Sequence, residues 1–194
     1  MRIVLASKSG VRKEILEKNK IDCDVEPSNV DEDEVKAAML NENATPALIS
    51  KNLAELKANK VSNKNPNKIV LGADSVIDFE GDLISKPKSR QEAFEILKRL
   101  NGKKHQLISS VCISKNGSMI WNCTDTSSLT MKELNLDQIK SYLKKIDDKK
   151  LYAYGVYQIE AGGKYLFSKI DGEENSIMGL PIKKIKEYLN NLKW

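Results

Sequence analysis

Ser7, Ser9, Gly10 and Arg12 stand where the apolar run IVLA gives way to the helix-forming VRKEILEKN, a junction able to hold an anion. A strand turning into a helix leaves backbone N–H groups unpaired and gathers positive potential, so small hydroxyls, a glycine and an arginine there suit a phosphate. A Ser9 helix cap beside a solvated Arg12 accounts for the same residues. Asp74 interrupts the apolar segment LGADSV. A carboxylate in that setting has to be paired, bound to a metal or left at a cleft edge, or else bonded to backbone at a strand end. Lys86 precedes Pro87, whose ring holds the residue before it extended and so fixes where the lysine starts; a solvated loop lysine fits equally. Lys57 falls one residue after Leu56 and four after Leu53, beside the apolar stripe of its helix rather than opposite it. Glu160 lies in YQIEAGG, in an expected β segment just before a Gly-Gly turn.

The elements that must place these groups can be read from periodicity. IVLA and VRKEILEKN read as strand then helix, IDCDVEP as a second strand, and NVDEDEV as an acidic turn. Thr45 and Pro46 start a helix whose Ile49, Leu53 and Leu56 share one face. KIVLGADSVIDF is expected as a strand broken at Gly72, and Ser89 with Glu92 as a capping box before a helix carrying Phe94, Leu97 and Leu100. HQLISSVCIS and MIWNCTDTSSLTM flank Asn116-Gly117, a hairpin signal. A helix is expected from about Leu136 to Ile146; the end of the chain gives YAYGVYQIEA, with Glu160 in a β segment, then KYLFSKID and NSIMGLP, and a closing helix from Pro181. Strands and helices mixed in this way imply an α/β (mixed α+β) fold, a long mixed sheet flanked by helices, and 194 residues suit a single domain over 1–194.

Composition narrows the chemistry. No apolar run is long enough to span a bilayer and the start reaches ASKSG too soon for a signal peptide, so a soluble, cytoplasmic protein with no membrane partner is expected. Cys23, Cys112 and Cys123 are odd in number without C-x-x-C spacing, which suits reduced thiols. His105 is the only histidine. That excludes a His-rich zinc site, and it excludes a Ser-His-Asp triad unless His105 serves it; any metal should bind oxygen ligands. The net charge of +5 is mild, and no basic segment is interleaved with aromatic residues, so no nucleic-acid partner is expected.

Read together in order, these segments resemble the Maf family, whose members hydrolyse nucleoside triphosphates to monophosphate and pyrophosphate. LASKSGVRKEIL is similar to the family's LASxSPRRxxLL, NVDEDEV to its acidic DE turn and NLAELKANKV to its LAxxKAxxV helix. The segment from LGADSV through KKHQLIS resembles the family's GADTVVxxxGxILxKPxxxxxAxxxLxxLxGxxHxVxT, and GVYQIEAGGKYLFSKIDGEENSIMGLPI resembles its terminal block. The resemblance implies an inosine-triphosphatase-like fold, a nucleoside triphosphate substrate, a divalent cation (Mg or Mn) and a possible homodimer. It further implies that Ser7, Arg12, Lys57 and Lys86 hold the triphosphate, that Glu32 and Asp74 are the metal and acid–base carboxylates, and that Asp74 is the general base. Phosphoryl transfer needs mainly placed positive charge and an in-line water, and this residue set supplies both.

Two departures bear on the base. Gly10 and Val11 stand where the family has proline and the first of two arginines, so that one cationic contact is missing while Arg12 keeps the second, and YQIEA replaces YGIQG, which puts Glu160 where the subgroup selective for thymidine and uridine triphosphates has glutamine. An ionised glutamate only accepts hydrogen bonds. A base presenting N–H groups, such as a purine, a cytosine or 7-methylguanine, suits it better than thymine. The alternative to an enzyme is a regulatory nucleotide-binding protein linked to septum formation, which would have no use for the retained Asp74, Lys86, Glu32 and Lys57.

Overall fold

The computed structural model describes residues 2–159 and 162–192. Strand β1 (Arg2–Leu5) leads into helix α1 (Gly10–Lys18), whose N-cap is Ser9, its side chain accepting from the Arg12 N–H at 3.4 Å. Strand β2 (Asp22–Val25) returns parallel to β1. The expected acidic turn is instead the start of helix α2 (Glu32–Asn41), because Asp31 accepts from the Glu34 N–H at 3.0 Å and caps it. Helix α3 (Pro46–Ser62) begins at the Thr45 cap and precedes strand β3 (Val70–Phe79). That strand runs unbroken through Gly72. The glycine serves close packing: a Cβ there would lie 2.6 Å from Ala58 N and would also meet the Ala54 carbonyl, both in α3.

Strand β4 (Asp82–Ile84), which the sequence did not signal, pairs antiparallel with the end of β3. Helix α4 (Arg90–Leu100) is capped by Ser89, although Glu92 turns to the Lys88 N–H at 2.7 Å rather than closing a reciprocal box. Strands β5 (Lys104–Lys115) and β6 (Ser118–Met131) form the expected hairpin at Asn116-Gly117, both with positive φ. Helices α5 (Leu136–Lys144) and α6 (Asp148–Tyr154) come next, and residues 155–158 beyond α6 are coil; the β segment expected at Glu160 lies outside the described residues. A 3-10 turn (Gly163–Leu166), strand β7 (Phe167–Asp171), the one-turn helix α7 (Glu174–Ile177) and helix α8 (Ile182–Asn191) complete the described chain. NSIMGLP holds the end of α7.

The seven-stranded mixed sheet runs β2-β1-β3-β5-β6-β7, with β4 added to β3. Alternation along the strands turns Gly72, Asp74, Ser110 and Cys112 towards α3, and Ala73, Ser75, Ile77, Leu107, Ser109 and Val111 to the opposite face. On that opposite face two apolar clusters form. One joins Leu71, Ala73, Val111 and Ile113 to α1 and α8. The other joins Phe79, Leu107 and Leu129 to α4 and α5. The cross-strand pair Ser75 and Ser109 falls at the seam between them.

Candidate active site

The cleft arises from a gap in the sheet. On one edge of β3, β1 pairs only as far as Leu71 and β4 begins only at Ile77, so Gly72–Val76 have no strand partner on that side. A cavity of about 410 Å³ opens there, between the chain leaving β1 and the chain leaving β4, and it collects Ser7, Arg12, Glu32, Lys57, Asp74 and Lys86. Unpaired strand edges need acceptors and donors from elsewhere. Arg12 supplies one: its Nη1 donates to the Ala73 carbonyl at 2.8 Å and to Ser7 Oγ at 3.3 Å, and its Nη2 to Ser75 Oγ at 3.2 Å. Ser75 Oγ lies 3.0 Å from Ser109 Oγ, which donates to the Ser176 carbonyl at 2.7 Å. Burial pulls the Arg12 pKa down, partly opposed by Asp74 and then Glu32. Its Nε is buried without a partner.

The carboxylates are held by one lysine. Lys57, from α3, donates to Asp74 Oδ1 at 2.7 Å and pairs with Glu32 Oε1 at 2.7 Å. Asp74 is 4% exposed, and its second oxygen, Oδ2, is buried with no hydrogen-bond partner. An unpaired buried carboxylate oxygen is costly, about 1–3 kcal/mol or more for a charged group. Glu32, the first residue of α2, titrates at about 2. Burial works to raise it, but the charge and hydrogen bond of Lys57, then Lys86 and Lys36, outweigh burial. Lys86 is exposed to solvent yet sits among enough protein for desolvation to lower its pKa, against the attraction of Glu32.

Every sequence-predicted site residue within the described chain therefore borders one cleft; Glu160 lies outside the described residues. Lys57 lines the cleft with its ammonium engaged by the two carboxylates. Sequence reasoning missed Lys36 and Ser75, which also line the cleft. Lys36 lies one helical turn beyond Glu32, a spacing legible only once Asp31 is seen as a cap. Beyond the charged end, Ile77, Leu107, Val156, Ile159 and Met178 form an apolar end, with Gln158 among them, its Nε2 buried and unpaired. Ile77 is three residues from Asp74 along β3, about 10 Å at strand rise, a span fitting a nucleoside. Behind this wall His105 Nε2 meets Tyr157 Oη at 2.9 Å. Among the described residues no group of three or more His, Cys, Asp or Glu converges, and no helix is long and apolar enough to cross a membrane.

The family model described as Maf-like protein matches residues 2–192. The chain belongs to that family. It is 69% identical over 191 residues, 98% of each chain, to a protein of Pelagibacter ubique named nucleoside triphosphate pyrophosphatase. It is 35% identical to a Brucella abortus protein named 7-methyl-GTP pyrophosphatase, over 94% of this chain and 92% of that one. Among solved structures, the Staphylococcus aureus Ham1 protein superposes over all of both chains with a TM-score of 0.50 at 16% identity, a likeness of fold alone.

Proposed function

We propose that this Maf-family chain is a nucleoside triphosphate pyrophosphatase, with the triphosphate at the charged end of the cleft and the base at the apolar end. The observation that carries the proposal is Asp74: a buried carboxylate with one oxygen tied to Lys57 and the other unpaired, on the floor of a cleft lined by Arg12, Lys36, Lys57 and Lys86. Water attacks the α-phosphorus, Asp74 Oδ2 takes its proton, and the bond from the α-phosphorus to the bridging α–β oxygen breaks to give nucleoside monophosphate and pyrophosphate. General-base help of this kind contributes about 10²–10⁴-fold. Ser7 Oγ and the remaining N–H groups of Arg12 meet phosphate oxygens, and Lys86 neutralises the leaving group. Lys57 acts through the carboxylates, holding Asp74 and Glu32 side by side.

Two carboxylates held side by side by Lys57, Glu32 and Asp74, are hard oxygen donors that fit a hard divalent cation, whose remaining ligands are commonly water and substrate phosphates. Glu32 and Asp74 are the residues that would hold Mg2+ or Mn2+, and the ion would polarise the phosphate and offset its charge. For the base, Glu160 and the apolar Val11 support a purine, cytosine or modified base over thymine, in keeping with the 7-methyl-GTP named for the Brucella abortus relative. Pyrophosphate release should be screened over ordinary, methylated and deaminated nucleoside triphosphates with magnesium or manganese. Asp74→Asn, which keeps side-chain size, should lose about a hundredfold or more in kcat with the thermal midpoint retained. A variant that turns over like wild type removes Asp74 from the base role.

A further inference from the structure

A second cavity of about 310 Å³ adjoins the cleft and shares Glu32, Lys36 and Lys86 with it. Its other walls are Asp33, Lys88, Pro87 and Tyr152. Lys36 is the residue that an ordinary helical ion pair does not explain. Its side chain is only 12% exposed, and its one ionic partner among the described residues, Glu32, stands 3.8 Å away, beyond hydrogen-bonding distance. Glu32 is already engaged through its other oxygen by Lys57 at 2.7 Å, and Asp33 pairs with Lys88 at 3.3 Å. Lys36 lines the second cavity, where its ammonium, without an acceptor at hydrogen-bonding distance among the described residues, can meet an anion. Lys86, facing it from the chain after β4, has neither a hydrogen bond nor an ion pair among the described residues. Two cations short of acceptors thus border the same space.

The order of charges also fits. From Asp74 Oδ1 the path runs to Lys57 Nζ at 2.7 Å, from there to Glu32 Oε1 at 2.7 Å, and from Glu32 Oε2 to Lys36 at 3.8 Å. Lys36 therefore lies beyond Glu32 as seen from the proposed base, and the second cavity shares none of the residues of the apolar end where the reading above puts the nucleobase. We propose that this second cavity is the seat of the two distal phosphates, gripped between Lys36 and Lys86, and that pyrophosphate departs through it. Lys36 is then a substrate-binding residue that makes the enzyme require a triphosphate. This rests on the pyrophosphatase reading above and adds a place and a residue for the leaving group.

The test is calorimetric titration of wild type, Lys36→Gln and Lys36→Arg with inorganic pyrophosphate and, separately, with a nucleoside monophosphate, with and without magnesium. Steady-state kcat/KM for a nucleoside triphosphate and its diphosphate accompanies it. Glutamine is nearly as good a helix former as lysine, so α2 should persist, and thermal midpoints verify that. Lys36→Gln should weaken pyrophosphate binding about tenfold to a hundredfold, the scale of a charge-assisted hydrogen bond, and narrow the triphosphate-to-diphosphate preference. Monophosphate affinity should hold, and Lys36→Arg should retain most of the pyrophosphate affinity. Pyrophosphate that fails to bind wild type, binds Lys36→Gln as tightly, or loses affinity only in step with the monophosphate overturns the assignment. If wild type binds pyrophosphate through Lys36 yet hydrolyses no triphosphate, the pyrophosphatase reading fails and the anion site stands. If it hydrolyses triphosphates indifferently to Lys36, the anion site alone fails.

Discussion

His105 should make the protein lose stability in mild acid, by an amount that can be worked out because no other histidine competes. The ring is 2% exposed, meets Tyr157 Oη at 2.9 Å and packs near the Phe167 ring, while Nδ1 has no partner. Desolvation is the cause of its lowered pKa, from 6.5 to about 4, with no charged neighbour contributing. The folded value lies below the unfolded one, so between about pH 6.5 and 4 the unfolded chain binds more protons, and stability falls as pH falls through that window. A full shift of about 2.5 units corresponds to about 3 kcal/mol, of which linkage places about 2 kcal/mol between pH 7 and pH 5. For a chain of this length that is about 4–8 °C in thermal midpoint. Thermal unfolding at pH 7, 6 and 5 for wild type and His105→Gln measures it, glutamine being able to keep a hydrogen bond to Tyr157. The wild type should fall by that amount and the variant should stay nearly flat. A flat wild type, or a variant that falls in parallel, would show that the acid sensitivity does not come from the buried imidazole.

Gly72→Ala should destabilise the fold by about 1–3 kcal/mol through overpacking, since the added methyl meets the α3 backbone at Ala54 and Ala58. By displacing α3 and Lys57 with it, the substitution should also lower kcat; thermal unfolding with turnover at a temperature where the variant is folded checks both. Glu160→Gln, especially with Val11→Arg, should shift relative kcat/KM towards thymidine and uridine triphosphates, because a carboxamide can donate to a base carbonyl where a carboxylate cannot. Unchanged ratios would place base selection at other residues of the pocket.

Local rules were enough for the helix caps at Ser9, Thr45 and Ser89 and for the Asn116-Gly117 hairpin, because each depends on a few neighbouring residues. They failed at NVDEDEV, where Asp31 as a cap turns an acidic run into the first turn of α2 and points Glu32 and Lys36 the same way. They gave no sign of β4, which is three residues long and held by its pairing with the end of β3. For Asp74 the sequence left pairing, metal binding and a cleft edge open, and the sheet realises the pairing and the cleft edge together: a missing stretch of strand partner makes the cleft, and Lys57 supplies the pair. Such a gap has no signature in either segment that borders it, since it arises from where β1 stops and β4 starts on the same edge. The candidate site residues were legible as types, while the division of labour among the lysines was not: whether a lysine braces a carboxylate or faces an open cavity depends on distances between helices α2 and α3 and the turn after β4, which no single stretch of sequence encodes.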